Sequence, residues 1–167
     1  MKTLAKFLMA PALLLSAAGA SAAVTVRFND PANFADVASS PIERDRTLKS
    51  IEEHFAKLAA KLPAGQDLTV DVLDIDLAGR IEPVRSMTQD LRILRGMADW
   101  PHMKLRYTLT AGGQTVRSGE AQLANQAYLN RIVLYSTGDP LRYEKQMMDD
   151  WFYKEFKVSR MTRQAAR

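Results

Sequence analysis

Asp71, Asp74, Asp76 and Glu82 form the densest run of carboxylates in the chain, and carboxylate oxygens are what a hard cation such as calcium needs around it. Asp74-x-Asp76-x-x-Gly79 matches the opening of a calcium loop. The remainder departs from it: with Asp74 as position 1, position 5 is Ala78 and position 12, where a bidentate glutamate belongs, is Arg85. Solvent-facing carboxylates on a strand account for the same residues. A metal-dependent enzyme or metal-binding protein using Asp74, Asp76 and Glu82, with Arg80 beside them, is the alternative reading, and no metal ligand set is assigned.

The only histidines, His54 and His102, have no partner at ligand spacing such as i, i+4. Gly-x-Ser-x-Gly, Ser-x-x-Lys and His-Glu-x-x-His are absent, as are the glycine-rich loops that cradle phosphates. No catalytic residue and no cofactor is assigned. A second polar group, Asp139, Arg142 and Glu144, stands at the start of the last helical pattern. Arg142 and Glu144 are candidates to pair with the Asp74 to Glu82 region and lock helix to sheet, since buried charges persist only when paired. Asp74, Asp76, Arg80, Glu82, Asp139, Arg142 and Glu144 together make the candidate interaction cluster.

The elements that must position these groups follow from periodicity. Val24, Val26 and Phe28 alternate with polar residues as in a half-buried strand. Ser40-Pro41-Ile42-Glu43 supplies an N-cap, a proline for the first turn and a capping-box glutamate. Leu48, Ile51, Phe55, Leu58 and Leu62 then make one helical stripe, ended by Pro63-Ala64-Gly65. Leu68, Val70 and Val72 alternate until the frame slips by one, which predicts a bulge near Val72 and Leu73. Ala78 to Asp90 reads as loop and Leu91 to Ile93 as a short strand. Met103, Leu105, Tyr107 and Leu109, the Gly112-Gly113 turn and the returning Thr115 to Leu123 run make a hairpin. Asp139-Pro140 is expected to cap a final helix with Leu141, Met148, Phe152 and Phe156 on one stripe and Trp151 at its edge. Tyr128 to Tyr135 carries no assignable period.

The expected fold class is α+β, a single small domain with a mostly antiparallel sheet of about four to five strands covered by two main helices. Lys2 and Lys6, the apolar run from Phe7 to Ala17 and Ala20-Ser21-Ala22 have the layout of a cleavable export signal. Residues 1–22 are therefore read as a signal peptide and 23–167 as the domain, periplasmic or secreted. The apolar run is too short to span a bilayer. With no cysteine, the chain has no disulfide, thiol chemistry or lipidated cysteine. The net charge of +4 falls to +2 when Lys2 and Lys6 leave, which is no nucleic-acid signature. Lys154, Lys157, Arg160 and Arg163 recur every three residues, either as a solvated helix end or as a basic stripe for anionic lipid. Trp100, Trp151, Tyr128 and Tyr135 are candidate interface anchors, with core placement the competing fate of Trp151.

Asp74-Ile-Asp76-Leu-Ala-Gly79 with Glu82-Pro83 after it, Lys104-Leu-Arg-Tyr-Thr-Leu109, and Asp139-Pro-Leu-Arg-Tyr-Glu-Lys145 followed by Asp149-Asp-Trp-Phe152 resemble a bacterial family of exported domains of unknown function, number 3016. The resemblance spans essentially the whole mature chain and implies an exported domain; it brings no activity, ligand or partner with it. The functional expectation is a non-enzymatic periplasmic binding or envelope accessory module, whose partner is an unknown envelope protein or ligand.

Overall fold

The computed structural model describes residues 22–38, 40–82, 91–96 and 98–158. The expected signal segment, the greater part of the 78–90 loop, and Arg160 and Arg163 lie outside the described residues.

Alternation of small and β-branched residues makes β1 (Ala23–Phe28), which α1 (Pro41–Ala59) connects to β2 (Gln66–Asp76). β1 and β2 are parallel, from Ala23 opposite Asp67 to Phe28 opposite Val72, because parallel neighbours need a crossover and α1 is that crossover. β5 (His102–Ala111) pairs antiparallel with β2, and β6 (Gln114–Ala124) with β5, giving the sheet order β1-β2-β5-β6. The hairpin turn at Gly112 and Gly113 has positive φ at both positions, a conformation that glycine adopts without steric cost. α2 (Arg142–Phe156) closes the chain. The fold is thus a small α+β domain with a mostly antiparallel four-stranded sheet and two helices on one face.

The frame slip in β2 is a bulge. Val72 stands opposite Leu105 and Asp74 opposite Lys104, so Leu73 is the extra residue. With it, Leu68, Val70, Val72 and Ile75 all face the helices although their spacing changes from two to three. The core joins these to Met103, Leu105 and Leu109 of β5, to the α1 stripe of Ile51, Phe55 and Leu58, and to Met148 and Phe152 of α2. Tyr107 meets Trp151 and Phe156 edge-on, and a side chain at position 119 would crowd its ring, which explains glycine there.

Three local expectations are corrected. Arg80–Glu82, read as loop, is β3 and pairs antiparallel with β4 (Leu91–Ile93) in a separate two-stranded ribbon; three residues are too few for alternation to register. Ser40 occupies the N-cap position, but its side chain makes no capping bond. α2 starts at Arg142, not directly after Asp139-Pro140: Asp139 Oδ1 accepts the Leu141 N–H at 3.0 Å, closing a turn before the helix. The 126–140 connection between β6 and α2 has no regular structure.

Phe152 is fully buried where α2 meets the sheet. Phe152→Ala is expected to lower the unfolding free energy by about 3–5 kcal/mol, measured by urea denaturation; a loss of well under about 1 kcal/mol would show that α2 does not pack on the core as described.

Candidate functional site

The seven residues of the expected polar cluster fall into separate groups. Asp74 follows the β2 bulge, and its Oδ1 accepts the backbone N–H of Ala35 at 2.9 Å. Asp76 lies 3.4 Å from His102 Nε2. Burial raises the Asp76 carboxyl, His102 opposes the rise, and Asp36 and Asp74 reinforce it. Glu82 accepts a hydrogen bond from Arg95 across the β3–β4 ribbon, while Arg80 is exposed on β3. Asp139 Oδ2 accepts from Lys145 at 2.7 Å; although burial would raise it, Lys145 and the Leu141 N–H hold its carboxyl below the usual aspartate range. Arg142 lies over the Tyr143 ring, 4.4 Å from its centroid, and donates to the Thr137 carbonyl at 3.1 Å. Among the described residues no group of three or more histidine and acidic side chains converges on a common ion position.

Glu144 does reach the Asp74 to Glu82 region, through the backbone. Its Oε1 accepts the Ala78 N–H at 2.8 Å, in a site where Glu144 is only 2% exposed, and Oε2 has no partner. Burial pushes this carboxyl above the ordinary glutamate value of 4.5, against the lowering by the Ala78 N–H, Arg92 and Arg142. Arg142 makes no contact with that region, so the tie there is a buried carboxyl on an amide and not an ion pair.

The organising cation is Arg92, which the sequence marks only as the polar residue between Leu91 and Ile93. Nη1 and Nη2 donate to the two oxygens of Asp36 at 2.8 and 3.0 Å, and Nη1 also reaches the Ala78 carbonyl at 3.2 Å. Such paired geometry is among the stronger hydrogen-bonding arrangements in proteins. Ala78 therefore uses its N–H on α2 and its carbonyl on β4. This relay, from Asp36 through Arg92 and Ala78 to Glu144, stands beside a cleft of about 470 Å³. Val37, Leu77, Ile81 and Leu141 supply its apolar surface. Glu43, Arg46, Thr47 and Ser50 line it from α1. Those four are spaced i, i+3, i+4, i+7 and so occupy one stripe of the helix. Glu43 and Arg46 have no ion-pair partner among the described residues.

A second polar group joins the two helices. Asp149 Oδ1 is 2.8 Å from His54 Nε2, and Oδ2 accepts the Tyr135 hydroxyl at 2.6 Å. Burial, then the bond to Asp149, raises the Tyr135 hydroxyl. Lys57, Lys61, Lys145 and Asp139 border this group in a recess of about 270 Å³. No serine or threonine hydroxyl bonds to the imidazole among the described residues, so the group pins α1, α2 and the 126–140 connection together. His54 and Asp149 are 95 residues apart, beyond the reach of a local spacing rule. Of the candidate aromatic anchors, Tyr128 is buried, edge-on to Tyr143, with Trp100 packed on the same cluster, and Trp151 packs against the main core.

Fold and site define a small helix-covered sheet with a lateral cleft. A family of proteins of unknown function, DUF3016, matches residues 22–154, and the chain belongs to that family. No curated protein and no solved structure matches the chain. Two of the segments that carry the family resemblance meet in space, Ala78 on Glu144.

The raised Glu144 carboxyl gives a pH signature. A group whose carboxyl is raised in the folded state contributes stability below its unfolded value, and that contribution is lost as pH rises through the folded value. Wild type should lose stability relative to Glu144→Gln as pH climbs from about 4.5 through that raised value. Urea unfolding of both chains across acid to neutral pH measures this. A difference independent of pH would show that the fold does not raise the Glu144 carboxyl.

Proposed function

We propose that this protein is a non-enzymatic binding module of the bacterial envelope that takes an amphipathic small molecule, or the end of a partner segment, in the cleft beside Arg92. The observation that carries the reading is the cleft itself. It combines apolar walls from Val37, Leu77, Ile81 and Leu141 with Arg46 and Glu43, which have no ion-pair partner among the described residues, on one helical stripe, and pockets of this size that pair an apolar lining with a few convergent polar groups are the usual form of ligand sites. Arg92 is already held by Asp36 on both nitrogens, so it stiffens the wall. Arg46 is the group left to receive an anionic head, and Glu43 the one to accept a donor a helical turn away.

The fluorescent probe 1-anilinonaphthalene-8-sulfonate, with an apolar body and a sulfonate, tests this. The chain should enhance its fluorescence saturably; Arg46→Glu should weaken binding by about tenfold or more, and Thr47→Trp should block it by filling the cleft. Equal binding by wild type and both variants would overturn the reading.

Envelope location rests on the N-terminal segment, and the geometry at its expected cleavage point is consistent with processing. No helix among the described residues is long and apolar enough to cross a membrane. The Ala23 N–H donates to Asp67 Oδ1 at 3.2 Å at the first register position of β1. Cleavage after Ala22 would convert that amide into an ammonium facing a carboxylate, strengthening the bond. N-terminal sequencing of the protein from the periplasmic fraction should read Ala-Val-Thr-Val; an intact Met1, or recovery from the cytoplasm alone, would refute export.

A further inference from the structure

The connection between β6 and α2 is held to the body at four points and still presents its aliphatic side chains to water. The buried Tyr128 donates through its hydroxyl to Asp99 at 2.9 Å. Gln146 donates from Nε2 to the Ile132 carbonyl at 3.0 Å, Arg131 bonds to Asp150 at 2.6 Å, and Tyr135 bonds to Asp149. Val133 turns inward onto the Tyr128 and Tyr143 cluster. Between these anchors Leu129, Ile132 and Leu134 are 43, 85 and 71% exposed. A loop of free conformation could fold such side chains away; this one is tied in the arrangement that displays them. Exposed apolar groups gathered in one place mark contact sites.

The charge beside the ridge points to the occupant. Asp150, to which Arg131 bonds, lies one turn of α2 from the exposed Lys154, and the exposed Lys157 follows at the C-cap, where its left-handed backbone ends the helix and its spacing. Arg131 offsets Asp150 and Arg117 offsets Glu155, so the two exposed lysines set the sign at this end of α2. Protruding aliphatic side chains flanked by basic residues are the composition of a segment that lies in a bilayer interface, with apolar groups at the acyl boundary and cations among anionic headgroups. Side chains with exposures of 71 and 85% project outward and form no groove, which suits insertion into a lipid surface. We propose that Leu129, Ile132 and Leu134, with Lys154 and Lys157, form a peripheral docking surface for an anionic lipid bilayer. The contact is independent of the cleft and would hold the domain at a membrane face without a spanning segment.

The test uses the chain purified as its native cells process it, mixed with vesicles of phosphatidylglycerol and phosphatidylcholine or of phosphatidylcholine alone. Co-sedimentation with the anionic vesicles is expected, weakening with added salt. Ile132→Asn with Leu134→Asn should reduce it by about tenfold or more, as should Lys154→Gln with Lys157→Gln. These positions are exposed, and an unchanged urea unfolding curve would verify that the fold survives. As a readout that needs no loss of function, Leu134→Cys labelled with an environment-sensitive fluorophore is unique in a chain that has no cysteine. Its emission should shift to the blue on anionic vesicles. Absence of binding, binding indifferent to both double variants, or no spectral shift would overturn the proposal. So would a self-association that the apolar double variant abolishes, since a second copy of the chain would then be the occupant.

Discussion

A four-stranded sheet with one apolar face has to keep that face continuous, and in this domain continuity depends on a single extra residue in β2. Without the bulge at Leu73, the register that buries Leu68, Val70 and Val72 would turn Ile75 toward solvent and Asp74 and Asp76 toward the helices. Placing carboxylates in the core without partners would cost several kcal/mol each. With the bulge, all four apolar residues meet α1 and α2, and Asp74 comes out beside the backbone of Ala35. The layer packing and the position of the polar groups therefore share one cause.

Polar groups at the edge of this layer are held by backbone as much as by charge. Ala78 binds Glu144 through its N–H and Arg92 through its carbonyl, and Arg92 binds Asp36. Three distant segments are thereby joined at one residue whose own side chain is a methyl group. Such a relay is rigid because each buried polar group in it has few alternative partners. Glu144 keeps one oxygen without a partner and avoids the full cost of a buried charge by favouring its neutral form. His54, Asp149 and Tyr135 do for the two helices what this relay does for the ribbon. Their sharing of one carboxylate fixes α1 in its C-terminal half and leaves its first turns to face the cleft.

The two surfaces differ in kind. The cleft is concave, with charged groups of α1 set beside apolar walls, and suits a ligand that enters it. The 129–134 ridge projects outward from an anchored connection and suits a surface that receives it.

Side-chain period, proline and glycine placement and turn chemistry are local properties, and for this chain they determined most of the elements by themselves. The α1 stripe, the hairpin at Gly112 and Gly113, the β2 bulge and the apolar face of α2 were all legible, because each is encoded within a few residues. The β3–β4 ribbon was only half legible, since strands of three residues carry no period. The candidate cluster was misgrouped for a related reason: Asp74, Asp76, Glu82 and Asp139 are neighbours in sequence or pattern, while their actual partners are an amide at Ala35, His102, Arg95 and Lys145. Glu43, Arg46, Thr47 and Ser50 did show helical spacing, but a polar stripe on a helix ordinarily means water. Only the tertiary structure decided that it means a cleft, that His54 finds Asp149 across 95 residues, and that Glu144 meets Ala78. Those pairings arise when the helices dock on the sheet, and no window of sequence contains both members.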